Sequence, residues 1–307
     1  MDAIAQMQET DIMKVVFPTI STLIPLLAPK RPAILDARKT FKYGATERHQ
    51  LDVYYPPSST TTDSSPILFY VYGGGFASGG RTLPAPADLA YGNVGLYFAS
   101  RGFITVIPDY RLAPETTYPG PAEDLRDALK WAVDHPDELG PNADLSTVFF
   151  LGHSAGGTHT ATMFLETSIL AGAPELARRI KGVAIASAPF HFEGESEGGG
   201  ADVREKADIY YGSASATQLH NPLVLLRRMN ETSMKLLPRL VLITCENDPE
   251  WFKTVLRDFH QELAKREVNA KLITAKVHNH ISFSMALGTG QGEEWAEELV
   301  DWARTTA

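Results

Sequence analysis

The sequence predicts an α/β protein: a doubly wound, mainly parallel eight-stranded sheet with a helical cap. Three observations carry this. Short apolar runs alternate with helical patterns along most of the chain. Several of the runs are continuously apolar, as in strands covered on both faces. One stretch, residues 188–238, is far longer than an ordinary connection and interrupts the rhythm.

The elements follow in chain order. Residues 11–27 place Met13, Val16, Phe17, Ile20, Leu23, Ile24 and Leu27 at three- and four-residue spacing, a helical stripe. Pro18 and Pro25 are expected to break or kink it. Short helices packed on apolar surface are therefore expected over residues 1–30, inside an N-terminal cap segment spanning 1–37. Strands are expected at Lys39–Tyr43, Leu51–Tyr55, Ile67–Tyr72, Phe103–Ile107, Val148–Leu151, Gly182–Ala186, Leu240–Thr244 and Lys271–Val277. Helical patterns fall at about 87–101, 121–134, 155–170, 251–267 and 291–304. Right-handed crossovers place such helices on both faces of the sheet. The core is thus 38–187 with 239–307. The insertion 188–238 holds Gly198-Gly199-Gly200, the aromatics Phe190, Phe192, Tyr210 and Tyr211, and the run Leu223–Leu226. Its aromatic content favours a lid.

Composition narrows the function classes. A net charge of −9 suits nucleic acid poorly, because phosphate binding needs clustered Lys and Arg. The single cysteine, Cys245, excludes an intramolecular disulfide and a thiolate zinc cluster. Asp2, Gln6, Gln8 and Glu9 replace the basic and apolar regions of a signal peptide. No run of 18 apolar residues occurs, so no membrane span is expected. The expected location is cytoplasmic and no cofactor is expected. Oligomeric state is left open, with a homodimer as one form.

Gly152-His153-Ser154-Ala155-Gly156 matches G-x-S-x-G. The apolar strand Val148–Leu151 runs straight into it and a helical pattern follows, which is the strand–turn–helix setting this motif needs. Ser154 is therefore the candidate nucleophile. The helix start after it presents free N–H groups to a developing anion. Gly73-Gly74-Gly75-Phe76 follows the strand Ile67–Tyr72, and its backbone N–H groups, with that of Ala155, are candidates to hold an oxyanion. No Gly-Lys-Ser/Thr follows, so a nucleotide-binding loop is unsupported.

A serine hydroxyl needs a base, and the base needs an orienting carboxylate. The acid is expected after strand Leu240–Thr244. Asp248, fixed by Pro249, is preferred there over Glu246 and Glu250. The base is expected after strand Lys271–Val277, where His280 is preferred over His278. The His-x-His pair lacks further metal-spaced ligands, so no metal site is assigned. Candidates for the pocket wall are Tyr72, Phe76, His153, Phe190, Tyr210 and Ile281.

From about residue 50 onward the chain resembles the hormone-sensitive-lipase-like (bacterial family IV-like) branch of the α/β-hydrolases. Asp109-Tyr110-Arg111-Leu112-Ala113-Pro114-Glu115 is similar letter for letter to a block of that family. Tyr118–Asp124 and Trp131 resemble the stretch after it. Gly152–Gly157 is similar to its G-D-S-A-G-G, Asp248-Pro249 to its acid motif, and His280 to its histidine, here followed by Ile281. The resemblance implies Ser154, Asp248 and His280 as a triad, and the N–H groups of Gly74, Gly75 and Ala155 as the oxyanion hole. It also implies that the N-terminal segment and residues 188–238 cap the pocket. The expected function is a serine carboxylesterase acting on small to medium apolar esters, aryl esters or lactones. Two positions depart from the family: Tyr72 stands where H-G-G-G has histidine, and His153 where the elbow has aspartate. Asn279-His280-Ile281 also resembles kynurenine-formamidase-like fungal hydrolases, which keeps an amidase or formamidase open. A ligand-binding protein on a hydrolase scaffold is the third reading.

Overall fold

The computed structural model describes residues 1–57, 64–194 and 200–306. Gly198 and Gly199 of the insertion's glycine run lie outside the described residues. The strands are β1 (Arg38–Lys42), β2 (Gln50–Tyr54), β3 (Ser65–Val71), β4 (Ile104–Pro108), β5 (Ala143–His153), β6 (Ile180–Ala186), β7 (Arg239–Asn247) and β8 (Ala270–Asn279). They form one sheet in the order β1-β2-β4-β3-β5-β6-β7-β8. β2 runs antiparallel to both of its neighbours, β1 and β4; from β4 to β8 every pairing is parallel. Each strand expected from the sequence is present.

Adjacent residues in a strand point to opposite faces, and β5 shows what each face meets. Phe149 packs edge-on against Trp302 of the helix Glu294–Arg304. Phe150, the next residue, packs on Phe164 of the helix Ala155–Leu165. Both faces are therefore covered, which is why β5 reads as an unbroken apolar run. The helix Gly92–Ala99 joins Glu294–Arg304 through Tyr97, whose hydroxyl donates to Glu297 at 2.7 Å. Helices Gly120–Asp134 and Glu250–Lys265 complete the envelope.

The N-terminal segment departs from expectation. A single helix, Ile12–Leu27, runs through both Pro18 and Pro25. Both prolines are exposed, as are Lys14 and Ser21, whose carbonyls lose a helical partner; water can solvate those groups. A 3-10 turn and a further helix, Arg31–Asp36, extend the path. Among the described residues this Ile12–Asp36 path, 25 residues long, is by length and composition long and apolar enough to cross a membrane, a feature the search for apolar runs does not reveal. A search for unbroken apolar runs passes over it because Lys14, Thr19, Ser21 and Thr22 interleave. Here its inner residues Leu23 and Leu27 pack on Leu89, Ala90, Met285 and Ala286.

The insertion forms helices Gly200–Tyr211, Ala214–His220, Pro222–Arg228 and Glu231–Met234. A backbone hydrogen bond ties it to the core, Tyr118 N donating to Tyr210 O at 2.8 Å, and another within it runs from Leu223 N to Phe190 O at 2.9 Å. Beneath it lies His159, fully buried among Phe76, Tyr110 and Tyr210, with no hydrogen-bond partner on either ring nitrogen among the described residues.

Burial pushes the His159 imidazole down from 6.5 to about 3. Above the unfolded value neither state binds the proton. Below it the unfolded chain takes the proton while the folded chain refuses it until about pH 3, so stability falls as pH drops through that window. The slope is about 1.4 kcal/mol per pH unit for one proton. His159→Leu should therefore shrink the loss of unfolding free energy between about pH 7.5 and pH 5 by about 2 kcal/mol. Urea titrations at both pH values check this; equal losses in the two proteins would count against it.

Candidate active site

The C-terminal ends of five neighbouring strands bring the candidate groups together, which is where open α/β sheets place their ligands. Gly73–Gly75 follow β3, Ser154 follows β5, Ser187 follows β6, Asp248 follows β7 and His280 follows β8.

Ser154 occupies the turn between β5 and the helix Ala155–Leu165, at φ 55° and ψ −128°. Such a backbone costs a non-glycine residue on the order of 1–3 kcal/mol. The surroundings hold it: Ser154 N donates to Ala186 O at 2.9 Å, and Thr158 N to Ser154 O at 3.1 Å. The flanking glycines permit the close approach. A Cβ on Gly156 would stand 2.1 Å from Tyr72 O, and one on Gly73 would stand 2.7 Å from the Ser154 Cβ. The second distance also locates the glycine loop directly against the serine.

Tyr72, at the root of that loop, is fully buried and stacks between Tyr91 and Tyr110. Its hydroxyl donates to Asp109 Oδ1 at 2.6 Å and accepts from Arg48 at 2.9 Å. Arg81 grips the same carboxylate through its backbone N–H at 2.6 Å and through its guanidinium. Tyr110 O–H donates to Tyr72 O at 2.7 Å. Asp109 and Tyr110, with Arg48 and Arg81, thus clamp the strand end from which the loop springs.

Asp248 is buried and its two oxygens have separate duties. Oδ1 meets His280 Nδ1 at 3.0 Å. Oδ2 accepts from the Ser187 hydroxyl at 2.5 Å and from Cys245 N at 2.8 Å. The rivals are engaged elsewhere: Glu246 accepts from Val277 N at 2.6 Å, and Glu250 pairs with Lys253 at 3.3 Å. With Nδ1–H donated to Asp248, the imidazole of His280 keeps Nε2 as its free base. Its ring lies between Phe252 and His153, each 4.7 Å away by centroid. His278 is placed differently. Its Nδ1 lies 3.0 Å from Ser282 Oγ and its Nε2 2.6 Å from Gly292 O, so both nitrogens serve the fold.

Ser154, His280, Gly73, Gly74, Gly75 and Ala155 line one cavity of about 260 Å³. Of the sequence-stated pocket candidates, Phe76, His153 and Ile281 reach it. Tyr72, Phe190 and Tyr210 stand behind its wall instead. Tyr72 is held in the Asp109 clamp, Phe190 stacks on Phe259 at 4.1 Å, and Tyr210 stacks on Phe76 at 5.0 Å. A larger groove of about 720 Å³ lies at the opposite end of β7 and β8, around Arg239 and Asn269. It contains none of the candidate catalytic groups.

His153 is 4% exposed and stacks on Phe283. Burial, with the neighbouring His280, pushes it well below its usual value, so it stays neutral beside the base. Several lining residues were not named individually as pocket candidates from the sequence, though the first and last groups belong to segments expected to cap the pocket: Ile12, Met13 and Val16 from the N-terminal helix, Tyr91, and Val203 and Lys206 from the insertion. Ser187 was also missed. Its position at the end of β6, one strand from each partner, is the signal that could have found it.

Comparison with known proteins identifies the fold and family. A family model described as the alpha/beta hydrolase fold matches residues 68–284. The esterase LipI of Mycobacterium tuberculosis is 34% identical over 122 residues, which span 40% of this chain and 36% of that protein. The carboxylesterase NlhH of Mycobacterium tuberculosis is 27% identical over 242 residues, 74% of this chain and 71% of that protein. Among solved structures, carboxyl esterase 2 (TmelEST2) of Tuber melanosporum superposes with a TM-score of 0.67 at 20% identity, covering 88% of this chain and 87% of that one.

Proposed function

The chain belongs to the alpha/beta hydrolase fold family, and from that premise we propose that it is a serine carboxylesterase using Ser154, His280 and Asp248. The observation that carries the reading is the His280–Asp248 pair at 3.0 Å, facing the same cavity as a serine held at positive φ.

In this mechanism His280 Nε2 takes the Ser154 proton as the hydroxyl oxygen attacks an ester carbonyl. The tetrahedral oxyanion forms against the N–H groups of Gly74, Gly75 and Ala155. Protonated His280 then gives its proton to the leaving alcohol, leaving an acyl-serine. Water, deprotonated by His280, attacks that ester, and the acid departs as the serine recovers its proton. Asp248 fixes the imidazole tautomer and balances its positive charge. The Ser187 hydroxyl and Cys245 N–H hold the carboxylate in place for that work.

Substrate preference follows from the walls. Ile12, Met13, Val16, Phe76, Pro189, Val203 and Ile281 make most of the lining apolar, which suits a small or medium ester. Residues 1–37 and 188–238 act as the cap, since each supplies part of this wall.

The test is a panel of p-nitrophenyl esters of graded acyl length with a matched anilide and a lactone, run beside fluorophosphonate labelling. Esters should turn over faster than the anilide, with the label on Ser154. Faster anilide turnover would make the protein an amidase. Absence of both labelling and turnover would leave a binding protein on a hydrolase scaffold.

A further inference from the structure

The cavity wall carries two charged side chains, Asp202 and Lys206, both from the insertion helix Gly200–Tyr211. The rest of the lining is apolar, glycine, hydroxyl or imidazole, so this pair is an oddity in a site for plain apolar esters. The two residues differ in position. Lys206 lies across the glycine loop: its Cδ would be 3.3 Å, and its Nζ 3.9 Å, from a Cβ placed on Gly75. Its ammonium therefore stands beside the loop that faces the reacting carbonyl. Asp202 lies one helical turn earlier.

Lys206 Nζ meets Asp202 at 2.7 Å. The pair is an i,i+4 contact with side chains 34% and 48% exposed. Such a pair shifts an equilibrium only about twofold, so exchanging Asp202 for a bound anion costs little. The long stem of Lys206 also lets the ammonium swing while its methylenes stay on Gly75.

We propose that Lys206 recognises a carboxylate on the substrate, so that the site favours monoesters of dicarboxylic acids over their uncharged counterparts. This rests on the esterase reading above and names the substrate class for it. The ester carbonyl sits at the glycine loop, the methylene chain runs along the apolar wall, and the distal carboxylate pairs with the ammonium.

The experiment compares two esters of equal length, the mono-p-nitrophenyl ester of adipic acid and p-nitrophenyl hexanoate. The ratio of their kcat/KM values is read for wild type, Lys206→Met, Lys206→Arg and Asp202→Asn. Charged hydrogen bonds in half-exposed settings imply that Lys206→Met lowers the adipate-to-hexanoate ratio about tenfold. Lys206→Arg should retain most of the ratio, and Asp202→Asn should raise it by removing the competing anion. An unchanged ratio in Lys206→Met would overturn the proposal, because an ammonium acting only on the oxyanion affects both esters alike. A lower ratio in Asp202→Asn would overturn it too. If wild type cleaves neither ester yet Ser154 still takes a fluorophosphonate label, the substrate class is wrong; if the label also fails, the esterase reading itself falls.

Discussion

Ser154→Ala should lower kcat on a p-nitrophenyl ester by about four to six orders of magnitude, the range found when other serine triads lose their nucleophile. The reason is local. Ser154 sits both at the turn tip and against the glycine loop, so close that a Cβ on Gly73 would stand 2.7 Å from the Ser154 Cβ. Alanine keeps the Cβ and tolerates the same backbone as serine does, so unfolding temperature should stay close to wild type. What remains is catalysis by the backbone amides and by binding, which persists in triad knockouts. Loss of fluorophosphonate labelling should accompany the loss of rate. A variant that keeps both its rate and its label would move the nucleophile elsewhere.

The second large effect separates the two histidines of the H-N-H triplet. His280→Ala should cost kcat a comparable number of decades, since the serine then has no base. His278→Ala should cost less than about tenfold in kcat while lowering unfolding temperature, because it removes a buried ring that bridges Ser282 and Gly292. Steady-state kinetics with thermal melts on both variants make the comparison. A catalytic collapse in His278→Ala with His280→Ala still active would reverse the assignment of the base.

Much of the architecture is legible before any coordinates. Strands β3 to β7 are apolar runs because both faces are covered, and that signal does not depend on distant contacts. The serine turn and the glycine loop are equally visible, since close backbone approach demands glycine. Other features are not local. The choice between His278 and His280 rests on which imidazole meets a carboxylate 32 residues away. The course of the N-terminal helix through two prolines depends on which side of it faces water. Tyr210 and Phe190 carry the composition of a pocket wall, yet packing turns them into the layer behind it. Lys206 looks like an ordinary surface lysine until the insertion folds over Gly75.

The tyrosine at the base of the glycine loop has a consequence for acidity. A free imidazole changes charge near neutrality, and an anchor that depended on one could change with it. Burial instead drives the Tyr72 phenol well above its ordinary value, so it remains an uncharged donor to Asp109 throughout the range in which an enzyme is assayed. The phenol's link to Asp109 is thus not lost through ionisation of the tyrosine, and a decline of turnover in mild acid would not report a change of charge at Tyr72.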